Sequence, residues 1–106
     1  MCKTIYRALV ANIAKEMVIQ LEANQHKGDR ANWVNVPPKV LLGEIYYHTG
    51  KLQQALSEND PAKVKEYCAD IANLAAMVMD AKGLTDIDQR VQEPHRSSVP
   101  SDFNGS

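Results

Sequence analysis

Between Val40 and Asp80 the apolar positions fall into two runs of helical period, and the rest of the chain is arranged around that pair. In the first run, Leu41, Ile45, His48, Leu52 and Leu56 recur in steps of three or four, which places them on one helix face. In the second, Val64, Tyr67, Cys68, Ile71, Leu74, Ala75 and Val78 repeat the pattern. Ser57-Glu58-Asn59-Asp60-Pro61 separates them, with Asp60 suited to cap a helix and Pro61 to fill its first position. Two amphipathic helices joined by so short a turn pack antiparallel. The polar residues that this arrangement sets against the seam are His48, Lys51, Tyr67, Asp70 and Asn73.

An earlier helix is predicted from about Thr4 to Asn24, where Tyr6, Leu9, Val10, Ile13, Met17 and Leu21 make a continuous apolar stripe. It ends at Asn24-Gln25-His26-Lys27-Gly28, where Gly28 can take a left-handed backbone. His26 and Lys27 suit the negative end of the helix dipole, either as simple caps or as contacts for an anion. Gly28 to Pro38 reads as a loop that carries the chain's single Trp. Trp33 is either a lid over the helix seam or, beside Lys27 and Arg30, a ring that stacks on a base. Pro37-Pro38 then starts the second helix. Gly43 and Gly50 lie seven apart inside it and predict a close approach by another helix, with a kink at Thr49-Gly50 as the alternative. Past Gly83, Thr85 and Asp88 predict one short capped turn through about Val91, and a disordered tail follows from Gln92. The chain is thus expected to hold one helical domain over residues 1–84, with a short turn and tail over 85–106.

Composition narrows the class. The 106 residues are 44% apolar and read as one small all-α domain. A net charge of -1 argues against a nucleic acid polymer or an anionic membrane as partner. No apolar run has the length of a membrane span or a signal peptide, so a cytoplasmic location is expected. Cys68 lies on an apolar stripe and is expected to be a buried thiol; neither it nor Cys2 has the spacing of a disulfide framework or a zinc site. Three helices make a small core, and Val40, Leu42, Tyr46, Met77 and Met79 lie off the main stripes. A homodimer or homotetramer is therefore expected.

The run Leu21-Glu22-Ala23-Asn24-Gln25-His26-Lys27-Gly28, followed by a Trp, resembles phage-borne MazG-like nucleotide pyrophosphohydrolases. Leu41-Leu42 through Leu52-Gln53-Gln54-Ala55-Leu56 is similar to that family's next helix, and Ala69 to Asp80 to its third. The resemblance spans about residues 5–82. It implies an all-α MazG-like helical bundle completed by oligomerisation. Active members cleave nucleoside triphosphates between the α- and β-phosphates with magnesium, held by Glu-x-x-Glu on one helix and Glu-x-x-Asp on the next. Magnesium demands hard oxygen ligands, and carboxylates at i and i+3 share a helix face.

Laid onto this chain, the first pair falls on His48 and Lys51 and the second on Tyr67 and Asp70, so three of the four acids are absent. That departure puts hydrolysis in doubt and implies no catalytic residue. His, Lys and Tyr are donors that hold phosphate oxygens without a metal bridge. The resemblance then implies a non-hydrolytic protein for a nucleotide or cyclic nucleotide, with Lys51 on phosphate and His48 and Tyr67 bonding to it. Asp70 and Asn73 would position donors or read ribose and base edges, and Lys27, Arg30 and Trp33 would contribute from the loop. In a phage setting it implies an anti-defence sponge that sequesters a nucleotide immune signal in the host cytoplasm. One alternative is a magnesium-dependent pyrophosphohydrolase using Glu44, Glu66 and Asp70. Another is a helical protein-interaction module with no small ligand, in which His48 and Tyr67 are core, Lys51 snorkels to water and Asp70 is paired with Lys51 or His48.

Overall fold

The computed structural model of the chain describes residues 2–88. Its elements are α1 (Cys2–Ala23), a single 3-10 turn (Gln25–Lys27), a short α2 (Arg30–Trp33), α3 (Pro38–Ser57) and α4 (Pro61–Ala81). Every regular element among the described residues is helical. No helix among them is long and apolar enough to cross a membrane.

The α3–α4 hairpin forms where turn chemistry places it. Asp60 caps α4 by accepting from the Lys63 N–H at 3.2 Å, and Pro61 opens the helix. Asn59 makes the reversal at a φ of 54°, in the left-handed region that asparagine tolerates. The last carbonyls of α3 are taken up by the N–H groups of Glu58 and Asp60.

Helix α4 is the central element, with α3 along one side and α1 along the other. Contacts along α1 advance together with those along α4. Glu16 pairs with Lys65, the Met17 carbonyl receives Asn73, and Leu21 and Gln25 share a groove with Met77 and Asp80. The two helices therefore run parallel, and α3 runs antiparallel to both. The connection from Asn24 to Pro37 crosses at the end where α4 finishes. Near the start of α4, Lys65 and Cys68 share a groove with Leu9, Asn12 and Ile13 that stays open to solvent.

Exposure overturns part of the expected α1 stripe. Every residue from Lys3 to Lys15 is exposed, including Tyr6, Leu9, Val10 and Ile13; only Met17 and Leu21 are half-buried. The described residues bury just three apolar side chains, Leu41, Ala55 and Ala69, together with the polar Asn73 and Asp80.

Helix α3 differs in two further respects. Its inward stripe ends on Ala55, whereas Leu56 is 57% exposed. Leu41, Ile45, His48, Leu52 and Ala55 average 3.5 residues per turn, the repeat of helices packed side by side, and a last step of four overshoots it. Gly43 and Gly50 do not mark a close approach, because a methyl group at either would meet nothing within 4 Å. Helix α3 also runs unbroken through Thr49-Gly50.

The predicted loop from Gly28 contains α2, capped by Asp29, which accepts from the Ala31 N–H at 3.1 Å. Gly28 itself has a φ of 144°, a backbone conformation that L side chains rarely adopt, and this favours glycine there. Cys68 is half-buried rather than buried. Residues 84–88 form no helical turn. Thr85 instead accepts from the Ile87 N–H and reaches Asp80. Val91 and the tail lie outside the described residues.

Candidate functional site

The antiparallel hairpin brings four of the predicted side chains together. His48 of α3 stands opposite Asp70 of α4, with Nε2 3.8 Å from Oδ2. The other ring nitrogen, Nδ1, lies 2.9 Å from the Glu44 carbonyl; this contact fits a proton on Nδ1 that donates to the oxygen. The imidazole meets Tyr47 edge-on, with ring centroids 5.4 Å apart. One turn further along, the Lys51 Nζ lies 5.2 Å from the Tyr67 ring centre and 4.9 Å from that of Tyr47. Among the described residues Lys51 forms no ion pair with a carboxylate. Its charge is held by two aromatic faces instead.

Asp70 is the strained member of this group. Burial pushes its carboxyl above the usual carboxylate range, and the His48 charge opposes that push only in part. Glu66 raises it further, while Lys51 and Lys27 lower it. Lys27 acts on the seam from the 3-10 turn through its field. No hydrogen bond closes the His48–Asp70 gap, so the carboxylate is desolvated without full compensation.

Three other predicted residues lie elsewhere. Asn73 faces α1, where its Nδ2 donates to the Met17 carbonyl at 3.0 Å, and its buried Oδ1 has no protein partner. Arg30 and Trp33 converge on Asp80 at the end of α4. The guanidinium grips both carboxylate oxygens at 2.8 Å, and the indole N–H donates to Oδ2 at 2.9 Å. Thr85 completes the set at 3.4 Å. The Arg30 hydrogen bond draws the Asp80 carboxyl below its ordinary range, and the same bond raises the guanidinium. These residues clamp the connection onto α4 and border a groove of about 430 Å³ between α1 and α4.

Asp80, Thr85 and Tyr47 were not among the residues expected at a site. Asp80 had a signal: it continues the stripe Asp70, Asn73, Met77, and an acid at a helix C-terminus opposes the dipole and needs a cation. Tyr47 had one also, lying four residues before Lys51 on the same helix.

A magnesium ion would require several oxygen ligands. The seam offers one carboxylate, a phenol, an imidazole and an ammonium, and that donor set does not fit the ion. Glu44 and Glu66 do not repair it, since no three His, Cys, Asp or Glu among the described residues converge as a ligand group. No family model, characterised relative or solved structure matches the chain. The site has to be read from its own chemistry. It gathers polar side chains around an ammonium that no carboxylate reaches at ion-pair distance among the described residues, a setting that can accept an anionic oxygen.

Proposed function

We propose that the chain is a nucleotide-binding protein that holds phosphate oxygens in the α3–α4 seam and does not hydrolyse them. The supporting observation is the Lys51 ammonium, which lies over two tyrosine rings and has no carboxylate within ion-pair distance among the described residues. Lys51 contacts phosphate and the Tyr67 hydroxyl adds a hydrogen bond; His48, whose Nδ1 faces the Glu44 carbonyl, donates to the ligand only through a protonated Nε2. Asp70 holds the imidazole in place from the opposite helix. The likeness of the sequence to MazG-like proteins supplies the ligand class, a linear or cyclic nucleotide. In a phage setting, the protein withdraws such a signal from a host effector.

Thermal shift with a panel of mono-, tri- and cyclic nucleotides tests this reading. Ligand at a hundredfold excess over Kd raises Tm by roughly 10–20 °C for a domain of this size. Lys51→Glu weakens binding by at least about tenfold to a hundredfold, the value of a charge-assisted hydrogen bond. Binding persists with chelator present and weakens with salt. Pyrophosphate release from nucleoside triphosphates with magnesium or manganese would establish the hydrolase instead. No shift with any nucleotide would leave a helical interaction module.

A further inference from the structure

The first half of α1 has no cover from its own chain. Ile5, Tyr6, Leu9 and Val10 each keep between 61% and 67% of their surface exposed. A lone helix of that length is marginal in water. The apolar surface continues through Ile13 and Ile19 to a groove of about 360 Å³ between α1 and the start of α4, lined also by Lys65 and Cys68. Charge divides along the same helix. Residues 3–15 carry Lys3, Arg7 and Lys15 and no acid, whereas Glu16 and Glu22 lie in the second half.

We propose that this face is a dimer interface, on which α1 of a second copy lies antiparallel. Antiparallel pairing sets Lys3 and Arg7 of each copy over the half of the other that bears Glu16 and Glu22. Parallel pairing would stack like charges. The aromatic ring of Tyr6 from the second copy enters the groove beside Ile13 and Cys68. The exposed parts of Ile5, Tyr6, Leu9, Val10, Ile13 and Ile19 amount to about 600 Å² per copy, the lower end of what each partner contributes to a specific interface. One two-fold axis buries both stripes and leaves no open end. This assignment is independent of the nucleotide reading. It also differs from association through Val40, Leu42, Tyr46 and Met79, which lie on α3 and α4.

Light scattering on the eluting full chain measures the mass directly. Wild type is expected at twice 11.8 kDa. Leu9→Glu is expected at the single-chain mass, with association weakened at least about a hundredfold. Tyr46→Glu is expected to keep the double mass. Leu9 is exposed in the protomer, so its replacement removes little packing within one chain. Wild-type Tm should also rise with protein concentration, which needs no variant. A single-chain mass with a concentration-independent Tm in wild type would overturn the proposal. So would a Leu9→Glu protein that keeps the double mass, or a Tyr46→Glu protein that dissociates as fully.

Discussion

Replacing Asp80 with alanine removes the acceptor for three donors at once. Arg30 loses a two-pronged pair at 2.8 Å, the Trp33 indole loses a bond at 2.9 Å and Thr85 loses its contact. The Arg30 and Asp80 side chains are only 12% and 8% exposed, so water replaces the missing acceptor poorly. Breaking one side of such a pair costs about 3 kcal/mol or somewhat more. In a domain of this length that lowers Tm by roughly 10–20 °C. Asp80→Asn keeps the shape and one acceptor oxygen but loses the charge and the second prong, so it falls between alanine and wild type.

Trp33 is the chain's single tryptophan, which makes its fluorescence a direct report on the clamp. Unfolding followed by fluorescence and by far-UV circular dichroism, at one fixed protein concentration, separates a released loop from global melting. The pH dependence has a defined sign. Asp80 is depressed in the folded state, so its contribution is present above the ordinary aspartate value, about 3.9, and fades as pH falls through the folded value. The gap between wild type and Asp80→Asn therefore closes on acidification. Equal melting points for wild type and Asp80→Ala at neutral pH, with unchanged Trp33 emission, would refute the clamp.

Asp70 behaves in the opposite sense. Its carboxyl is raised by burial, so its contribution to stability is largest below the ordinary aspartate value and is lost as pH rises through the folded value. Asp70→Asn is expected to raise the melting point at neutral pH and to lose that advantage in acid; a lower melting point at neutral pH would show the His48 contact to be net stabilising. Gly43→Ala and Gly50→Ala each face open space and should stabilise by about 0.5–1 kcal/mol in urea titrations, whereas a loss would reveal a partner packed on that face. Asn73→Ala removes the bond to Met17 and should cost about 1 kcal/mol, with faster amide exchange in the second half of α1 and little change in α3.

The parts of the fold legible in the sequence are those written locally. Asp60-Pro61 marks the hairpin because a cap and a proline act within one turn. Once the hairpin is antiparallel, its register brings His48 to Asp70 and Lys51 to Tyr67. The clamp was not legible, since Arg30 and Asp80 are 50 residues apart and no periodicity links a loop cation to a helix-end acid. The α1 stripe failed for another reason. Periodicity reports that a face is apolar and is silent about what covers it, and the groove between α1 and α4 leaves Leu9 and Ile13 open to water. Gly43 and Gly50 misled in the same way, because missing side chains permit an approach without requiring one. Asn73 sits one turn beyond Asp70, yet the three-residue step falls short of a full turn and carries it toward α1.

Asp70 and Asp80 lie on one stripe of α4 and are both held away from water, yet the chain treats them differently. Asp80 is met by a guanidinium, an indole and a hydroxyl, and its carboxyl is drawn down. Asp70 faces an imidazole at 3.8 Å and a like-charged Glu66, and its carboxyl is pushed up. A scaffold selected only for stability would close that gap, because exchanging an uncompensated carboxylate for an apolar side chain is neutral or favourable. Under the proposed nucleotide-binding function, this poorly compensated carboxylate is retained because it stands beside the Lys51 ammonium that receives the ligand. The clamp at Asp80 fixes the connection that carries Lys27, whose charge acts on Asp70 near the middle of the same helix. Along α4, Asp80 is therefore tied down at the C-terminal end, whereas Asp70, near the middle, is left 3.8 Å from its one ionic partner among the described residues.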